Sequence, residues 1–309
     1  MLTRETLIGM WAGLPVAWKE DGTFDEATFQ RDVEKCCAMG VHGIYNAGTT
    51  GEFYAQNLAE FKAVLTALTV VTREYHIPTQ AGCTGLCTRD VIERATFAVE
   101  AGVDGIQIAL PFWLALTDDE VVAFFRDVAA AVPGVPLIHY DTGRSKRRIE
   151  AGLYRRILEV APDLMGNKYG DSDIARLAHL IRRVPEVNFF TGEHILAHAM
   201  MEGAKGSYSS LIYMNPPLLL RYFNLCQNRQ WDAALEIQRR ISTFFFDGLG
   251  PLLDDKGFMD SAIDRALGRL AGFLEVGLYC RPPYFHLSPE EYAALRAWTQ
   301  ANIPELLEW

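Results

Sequence analysis

The chain has 309 residues, half of them apolar and 22% charged, with 29 basic against 39 acidic side chains and a formal charge of -10. That length and composition suit one large globular domain or two ordinary ones and exclude disorder, collagen and coiled coil. The acid excess offers no general attraction to a phosphate backbone, so nucleic acid is not an expected partner, although Arg144, Lys146, Arg147 and Arg148 form a local basic run. No apolar stretch approaches the roughly 18 residues of a membrane span. The first nine residues carry Arg4 and Glu5 and lack a signal-peptide core, so a membrane is not an expected partner and a cytoplasmic address is expected. Six cysteines then read as reduced thiols; Cys83 and Cys87 are four apart but have no second pair with histidine spacing, so no metal is expected.

Short runs rich in Val, Ile and Leu alternate with longer amphipathic stretches along the chain. A strand is expected at 9–16 and a helix at 25–39, then a strand at 43–47 and a helix at 58–75. The pattern continues with a strand at 78–81, a helix at 91–101 and a strand at 104–110. Thr117, Asp118 and Glu120 supply an N-cap and first-turn acids for the next helix. Strands at 135–140, 163–168, 187–191 and 206–210 follow, separated by helices at 150–160, 173–183 and 195–202, with the last unit ending near Gln227. Alternation of this kind implies a parallel sheet. Eight units in about 230 residues imply a closed (β/α)8 TIM barrel, an α/β fold. A doubly wound open sheet would want a phosphate-binding glycine fingerprint after its first strand, and there is none. Beyond Gln227 the pattern is helical only, at 231–246, 260–273 and 289–301. The expected organisation is therefore a catalytic barrel over 1–227 and a C-terminal helical extension over 228–309, packed together without a flexible linker.

In such a barrel the chemistry sits at the C-terminal ends of the strands. Lys168 ends the sixth strand. A lysine among apolar groups loses solvation of its charged form, and the neutral amine can attack a ketone to form an imine that serves as an electron sink. A strand-end lysine turned to solvent is the plain alternative. Tyr140 ends the fifth strand, next to it in the barrel, where a phenol suits a proton shuttle; alone it would read as a rim aromatic. Gly48-Thr49-Thr50-Gly51 after the second strand offers two hydroxyls and close backbone approach for a carboxylate, or simply a strand–helix turn. His194 reads as a hydrogen-bonded structural residue, Tyr208 as a pocket wall or a core aromatic, and Asp171 and Asp173 as a helix cap and first turn.

Taken together, these residues resemble the dihydrodipicolinate synthase and N-acetylneuraminate lyase superfamily of class I aldolases. The resemblance is carried by Gly48-Thr49-Thr50-Gly51-Glu52, Tyr140, Gly166-Asn167-Lys168, Gly203-Ala204-Lys205-Gly206 and Arg281-Pro282-Pro283, in order over about the whole chain. It implies an imine at Lys168 with pyruvate or another 2-oxo acid, carboxylate binding at Thr49 and Thr50 beside Gly51, and proton transfer by Tyr140. It implies no cofactor, a small-molecule 2-oxo acid as partner, and a homotetramer built as a pair of dimers. Arg144 and Tyr208 join the expected substrate-binding set.

The departures are informative. The lysine-biosynthetic synthases carry two tyrosines after a proline following strand four, one reaching into the neighbouring subunit; here the segment is Pro111-Phe112-Trp113, without a hydroxyl. Their Asn, Pro and Arg after the tyrosine are replaced by Asp141-Thr142-Gly143-Arg144, so the arginine is displaced. The run from Pro111 to Leu116 and Asn167-Lys168-Tyr169 are similar to hydratase-aldolases that cleave aryl 2-oxo-3-enoates. Trp113 is then expected to stack on a flat substrate, or to be an interface aromatic. The alternatives are a sugar-acid dehydratase, a 4-hydroxy-tetrahydrodipicolinate synthase and a non-catalytic 2-oxo-acid-binding barrel.

Overall fold

A computed structural model describes residues 2–308. The strands are β1 (Gly9–Gly13), β2 (Gly43–Asn46), β3 (Thr79–Gly82), β4 (Gly105–Ile108), β5 (Leu137–Thr142), β6 (Leu164–Gly170), β7 (Asn188–Thr191) and β8 (Gly206–Ser209). They pair in parallel in chain order, and β8 pairs back onto β1 to close the barrel. Closure removes the exposed strand edge, which an open sheet would have to cover. The (β/α)8 architecture with a C-terminal helical part is therefore as the alternation implied.

Two apolar clusters result. The larger lies between the strands and the surrounding helices. The smaller fills the barrel and contains Leu7, Trp11, Tyr45, Ile138, Phe190 and Tyr208. Trp11 needs a glycine beside it: a Cβ on Gly43, its partner across β1 and β2, would lie 2.3 Å from the indole. The Thr117 and Glu120 signal is a complete capping box at the start of the Asp118–Ala131 helix.

Some boundaries differ from expectation, each for a tertiary reason. The first strand ends at Gly13 rather than 16, and the chain then leaves the sheet to form the Trp18–Phe24 bridge. β5 and β6 run past Tyr140 and Lys168, because they continue to pair with each other through Thr142 and Gly170. The helix expected at 231–246 is α-helical only over Trp231–Thr243 and continues as π-helical turns over Phe244–Leu249 and Pro251–Asp255. Pro251 has no N–H to give and its ring crowds the preceding turn, so regular α-helical bonding cannot persist there.

The extension is joined to the barrel through buried charge. Glu52, fully buried, accepts from Arg265 Nε at 2.9 Å, from Arg265 Nη2, and from the Arg281 backbone N–H at 2.9 Å. Arg265 also donates to the Val16 carbonyl at 2.7 Å. Two segments of the extension thus hold the loop after β2. Arg281 itself pairs with Glu60 at 2.7 Å.

Candidate active site

Lys168 and Tyr140 are cross-strand partners on β6 and β5. The Lys168 Nζ lies 4.2 Å from the Tyr140 ring centroid, 5.0 Å from that of Tyr45 and 5.6 Å from that of Tyr208. Three ring faces around one nitrogen can attract a cation there. Burial holds the Tyr45 and Tyr208 phenols above the usual tyrosine range, so both stay neutral. The Tyr208 hydroxyl donates down into the barrel to Gln80 Oε1 at 2.6 Å, so Tyr208 offers the site its ring and not its hydroxyl. Tyr140 makes no side-chain hydrogen bond within the described residues, which leaves its hydroxyl for a ligand or a proton.

The loop after β2 is held in an unusual conformation. Ala47 and Glu52 both have positive φ, 58° and 55°. Such conformations persist only where the surroundings fix them. Here Asn46 accepts from the Ala47 N–H at 2.6 Å and donates to the Leu14 carbonyl at 2.7 Å, while Glu52 is held by Arg265 and Arg281. Gly48 is required for contact: a Cβ would lie 1.5 Å from the Tyr45 hydroxyl. The result presents Thr49 and Thr50 at the barrel mouth.

A cavity of 340 Å³ opens there. Thr49, Thr50, Tyr140, Lys168 and Tyr208 are all in its wall, so the structure brings together five of the eight residues expected from sequence. Gly51, Arg144 and Trp113 are not in the wall. The Gly51 carbonyl accepts from Gln56 at 2.6 Å, beneath the loop. Arg144 stands behind the rim, bound to Asp260 at 2.9 Å. Trp113 is 73% exposed, with the Lys146 ammonium 5.6 Å from its ring.

His194 lines the cavity, stacks on Phe245 with centroids 4.4 Å apart, and shares a 2.9 Å hydrogen bond with Ser172. Burial lowers its pKa and favours the neutral ring. Asp173, expected in the first turn with Asp171 as the cap, is itself the cap of the Ile174–Arg183 helix. Asp171 accepts from Ser172 N–H and pairs with Arg148 at the cavity edge. Among the described residues, no three His, Cys, Asp or Glu side chains are arranged to hold a metal. Among the described residues, no helix is long and apolar enough to cross a membrane.

Sequence reasoning missed three components. Tyr45 faces inward from β2, and strand alternation with Trp11 and Tyr208 as neighbours was the available signal. Phe245, Leu249 and Leu253 from the π-helical turns join Ile263 and Leu267 to make one side of the cavity apolar. Asp264, on the Asp260–Leu270 helix, is 7% exposed and accepts the Thr50 hydroxyl at 2.5 Å. Burial pushes its pKa up to about 7, with the nearby Asp260 adding to the rise and Thr50, Ser210 and Lys168 opposing it. Nothing in the sequence separated these side chains from the core of an amphipathic helix.

The chain matches the dihydrodipicolinate synthetase family over residues 6–302. It belongs to that family. Members are class I lyases and aldolases, and this chain is an enzyme of that type. A trans-o-hydroxybenzylidenepyruvate hydratase-aldolase of Pseudomonas aeruginosa is 28% identical over 95% of this chain and 91% of its own. A Rhizobium rhizogenes relative named for 5-dehydro-4-deoxyglucarate dehydratase activity is also 28% identical, over 89% of each chain. Among solved structures, PhdJ bound to a substrate intermediate superposes with a TM-score of 0.87 at 26% identity, covering 99% of this chain and 98% of that one.

Proposed function

We propose that the protein is a Schiff-base aldolase that joins Lys168 Nζ to the carbonyl carbon of pyruvate or a related 2-oxo acid. The observation that carries this reading is the position of Nζ: among three ring faces, at the strand end beside Tyr140, above the Thr49–Thr50 loop. The neutral amine adds to the ketone, and loss of water from the carbinolamine leaves an iminium. In a 4-hydroxy-2-oxo acid, which a 2-oxo-3-enoate becomes by adding water across its double bond, the hydroxyl on carbon four gives up its proton, the bond between the third and fourth carbons breaks, and the iminium accepts the electron pair, giving an enamine and an aldehyde. The enamine then takes a proton at carbon three, and water returns the 2-oxo acid and the free lysine. Tyr140, the neighbouring hydroxyl without a protein partner, is suited to carry the proton in the carbinolamine and cleavage steps. The Thr49 and Thr50 side of the cavity receives the carboxylate.

The second substrate is read from the far wall. Phe245, Leu249, Leu253, Ile263 and Leu267 form an apolar side, and Thr191 Oγ1 is a buried hydroxyl with no protein partner within the described residues. A sugar acid has a hydroxyl on nearly every carbon and would leave most of them unpaired against that wall. An aryl or alkyl aldehyde fits it, with one oxygen for a polar anchor. The hydratase-aldolase name borne by several relatives supports this choice. Imine-promoted dehydration without carbon–carbon cleavage is the second reading, favoured by the name of the Rhizobium relative. Assembly as a homotetramer and a cytoplasmic address belong to the same proposal.

Borohydride reduction in the presence of pyruvate, read by intact mass and peptide mapping, tests the mechanism. A reduced pyruvate adduct on Lys168 is expected; folded protein without an adduct on Lys168 refutes the reading. Release of pyruvate from an aryl 2-oxo-3-enoate then separates aldol cleavage from dehydration.

A further inference from the structure

We propose that Asp264 is a positioning residue that couples 2-oxo-acid binding to the uptake of one proton, because it must be protonated for the Thr50 hydroxyl to face the ligand. The inference rests on the reading that Thr49 and Thr50 receive the ligand's carboxylate.

A hydroxyl has one proton to donate. In the structure Thr50 gives that proton to Asp264 Oδ2 at 2.5 Å. With Asp264 ionised, a ligand carboxylate arriving at Thr50 meets the lone pairs of the hydroxyl and, just behind them, a second negative charge. Two carboxylates sharing a site cannot both ionise cheaply. When Asp264 carries a proton, the same oxygen–oxygen contact reverses. Asp264 donates to Thr50 Oγ1, and Thr50 donates to the ligand. No bond to carbon changes; one proton enters from solvent with the ligand and leaves with the product.

The charges around Asp264 suit this role. Its neighbour in sequence, Arg265, is bound to Glu52 and does not form a salt bridge with Asp264. Asp260, one turn earlier on the same helix, adds negative charge, itself offset by Arg144. From the barrel side Lys168 on β6 and Ser210 after β8 draw the proton off. Tyr213, after β8, is buried and neutral, and Glu193 on the cavity wall holds Ser209 and the Leu211 N–H. With burial as the largest influence, the carboxyl exchanges its proton at about 7, inside the range where an enzyme works.

The test is pyruvate binding to the wild type and to Asp264→Asn, whose amide N–H can donate to Thr50 Oγ1 at every pH without a titrating proton. Calorimetry in two buffers of different ionisation heat counts protons taken up. The proton cost of imine formation at Lys168 is common to both proteins and cancels in the difference. At about pH 8 the wild type should take up close to one proton more than the variant, and above about pH 7 its affinity should weaken about tenfold per pH unit relative to the variant. Equal proton counts and parallel pH profiles overturn the proposal. An infrared measurement on the wild type alone gives a second readout: a protonated-carboxyl band should appear when pyruvate is added at about pH 8. Its absence overturns the proposal even where the variant fails to fold. Borohydride trapping run alongside keeps the two readings apart. An adduct on Lys168 with no proton difference removes only the role of Asp264, whereas no adduct in either protein at any pH removes the imine reading and this inference with it.

Discussion

Replacing Arg265 by Met should destabilise the protein strongly while leaving its local helix intact. The guanidinium is fully buried, and in the wild type it meets Glu52 through Nε and Nη2 and the Val16 carbonyl at 2.7 Å. Met keeps the apolar stem of the side chain but not the guanidinium, so a modest cavity cost adds to the effect. What remains is a carboxylate at zero exposure whose other hydrogen bond comes from the Arg281 N–H. Removing one partner of a buried ion pair costs about 3–5 kcal/mol. The lost bond to Val16, worth about 1 kcal/mol, is small beside that. At about 2–4 °C of melting temperature per kcal/mol, the expected drop is on the order of 10 °C, measured by thermal unfolding or by the denaturant midpoint. The double variant Glu52→Gln with Arg265→Met removes both charges and should recover most of the loss, since a buried pair replaced as a whole is close to neutral. A single variant within about 1 kcal/mol of wild type would refute the clamp, and so would a double variant as unstable as the single effects combined.

Lys168→Ala should abolish turnover and borohydride trapping while leaving the melting temperature nearly unchanged, because the side chain contributes ring contacts and little buried area. Activity at the wild-type level would end the imine mechanism. Tyr140→Phe should lower turnover by about 100-fold with trapping still detectable, since the ring beside Nζ remains and only the proton carrier is lost. Phe245→Ala should raise KM for an aryl substrate by roughly tenfold, the worth of one lost aromatic contact, and leave pyruvate trapping unchanged. An unaltered KM would mean that the π-helical turns do not touch the second substrate. His139 is fully buried on β5, bonded to Tyr154 at 2.7 Å, and burial lowers its pKa from 6.5 to about 4. A depressed base stabilises the fold above its unfolded value, and that stability is lost as the pH falls from about 6.5 towards 4, up to about 3 kcal/mol. Acid unfolding curves should therefore flatten in His139→Gln; an identical slope would place the acid sensitivity elsewhere.

Much of the site was legible because its parts lie at strand ends. Alternation of short apolar runs with amphipathic stretches locates eight strands, and in a closed parallel barrel the strand ends are neighbours whatever their separation in sequence. Tyr140 and Lys168 are cross-strand partners for that reason, and Thr49 and Thr50 reach the same mouth. Glu52 was read only as part of a motif; its place as the buried anchor of the C-terminal extension needed Arg265 and Arg281 beside it. Trp113 is not in the cavity wall, and part of that wall's apolar side comes from turns whose π-helical geometry no periodicity announces.

The amino-acid sequence by itself determined the barrel and placed Lys168 and Tyr140 at neighbouring strand ends, because local periodicity sets strand and helix and the barrel then orders the strand ends. Only the tertiary structure decided what those groups face. Thr50 and Asp264 stand 214 residues apart, and their contact depends on how the helical extension packs across the barrel mouth. Burial, which moves the Asp264 proton equilibrium to about 7 and makes one side of the cavity apolar, is a property of that packing. No spacing of residues along the chain encodes it.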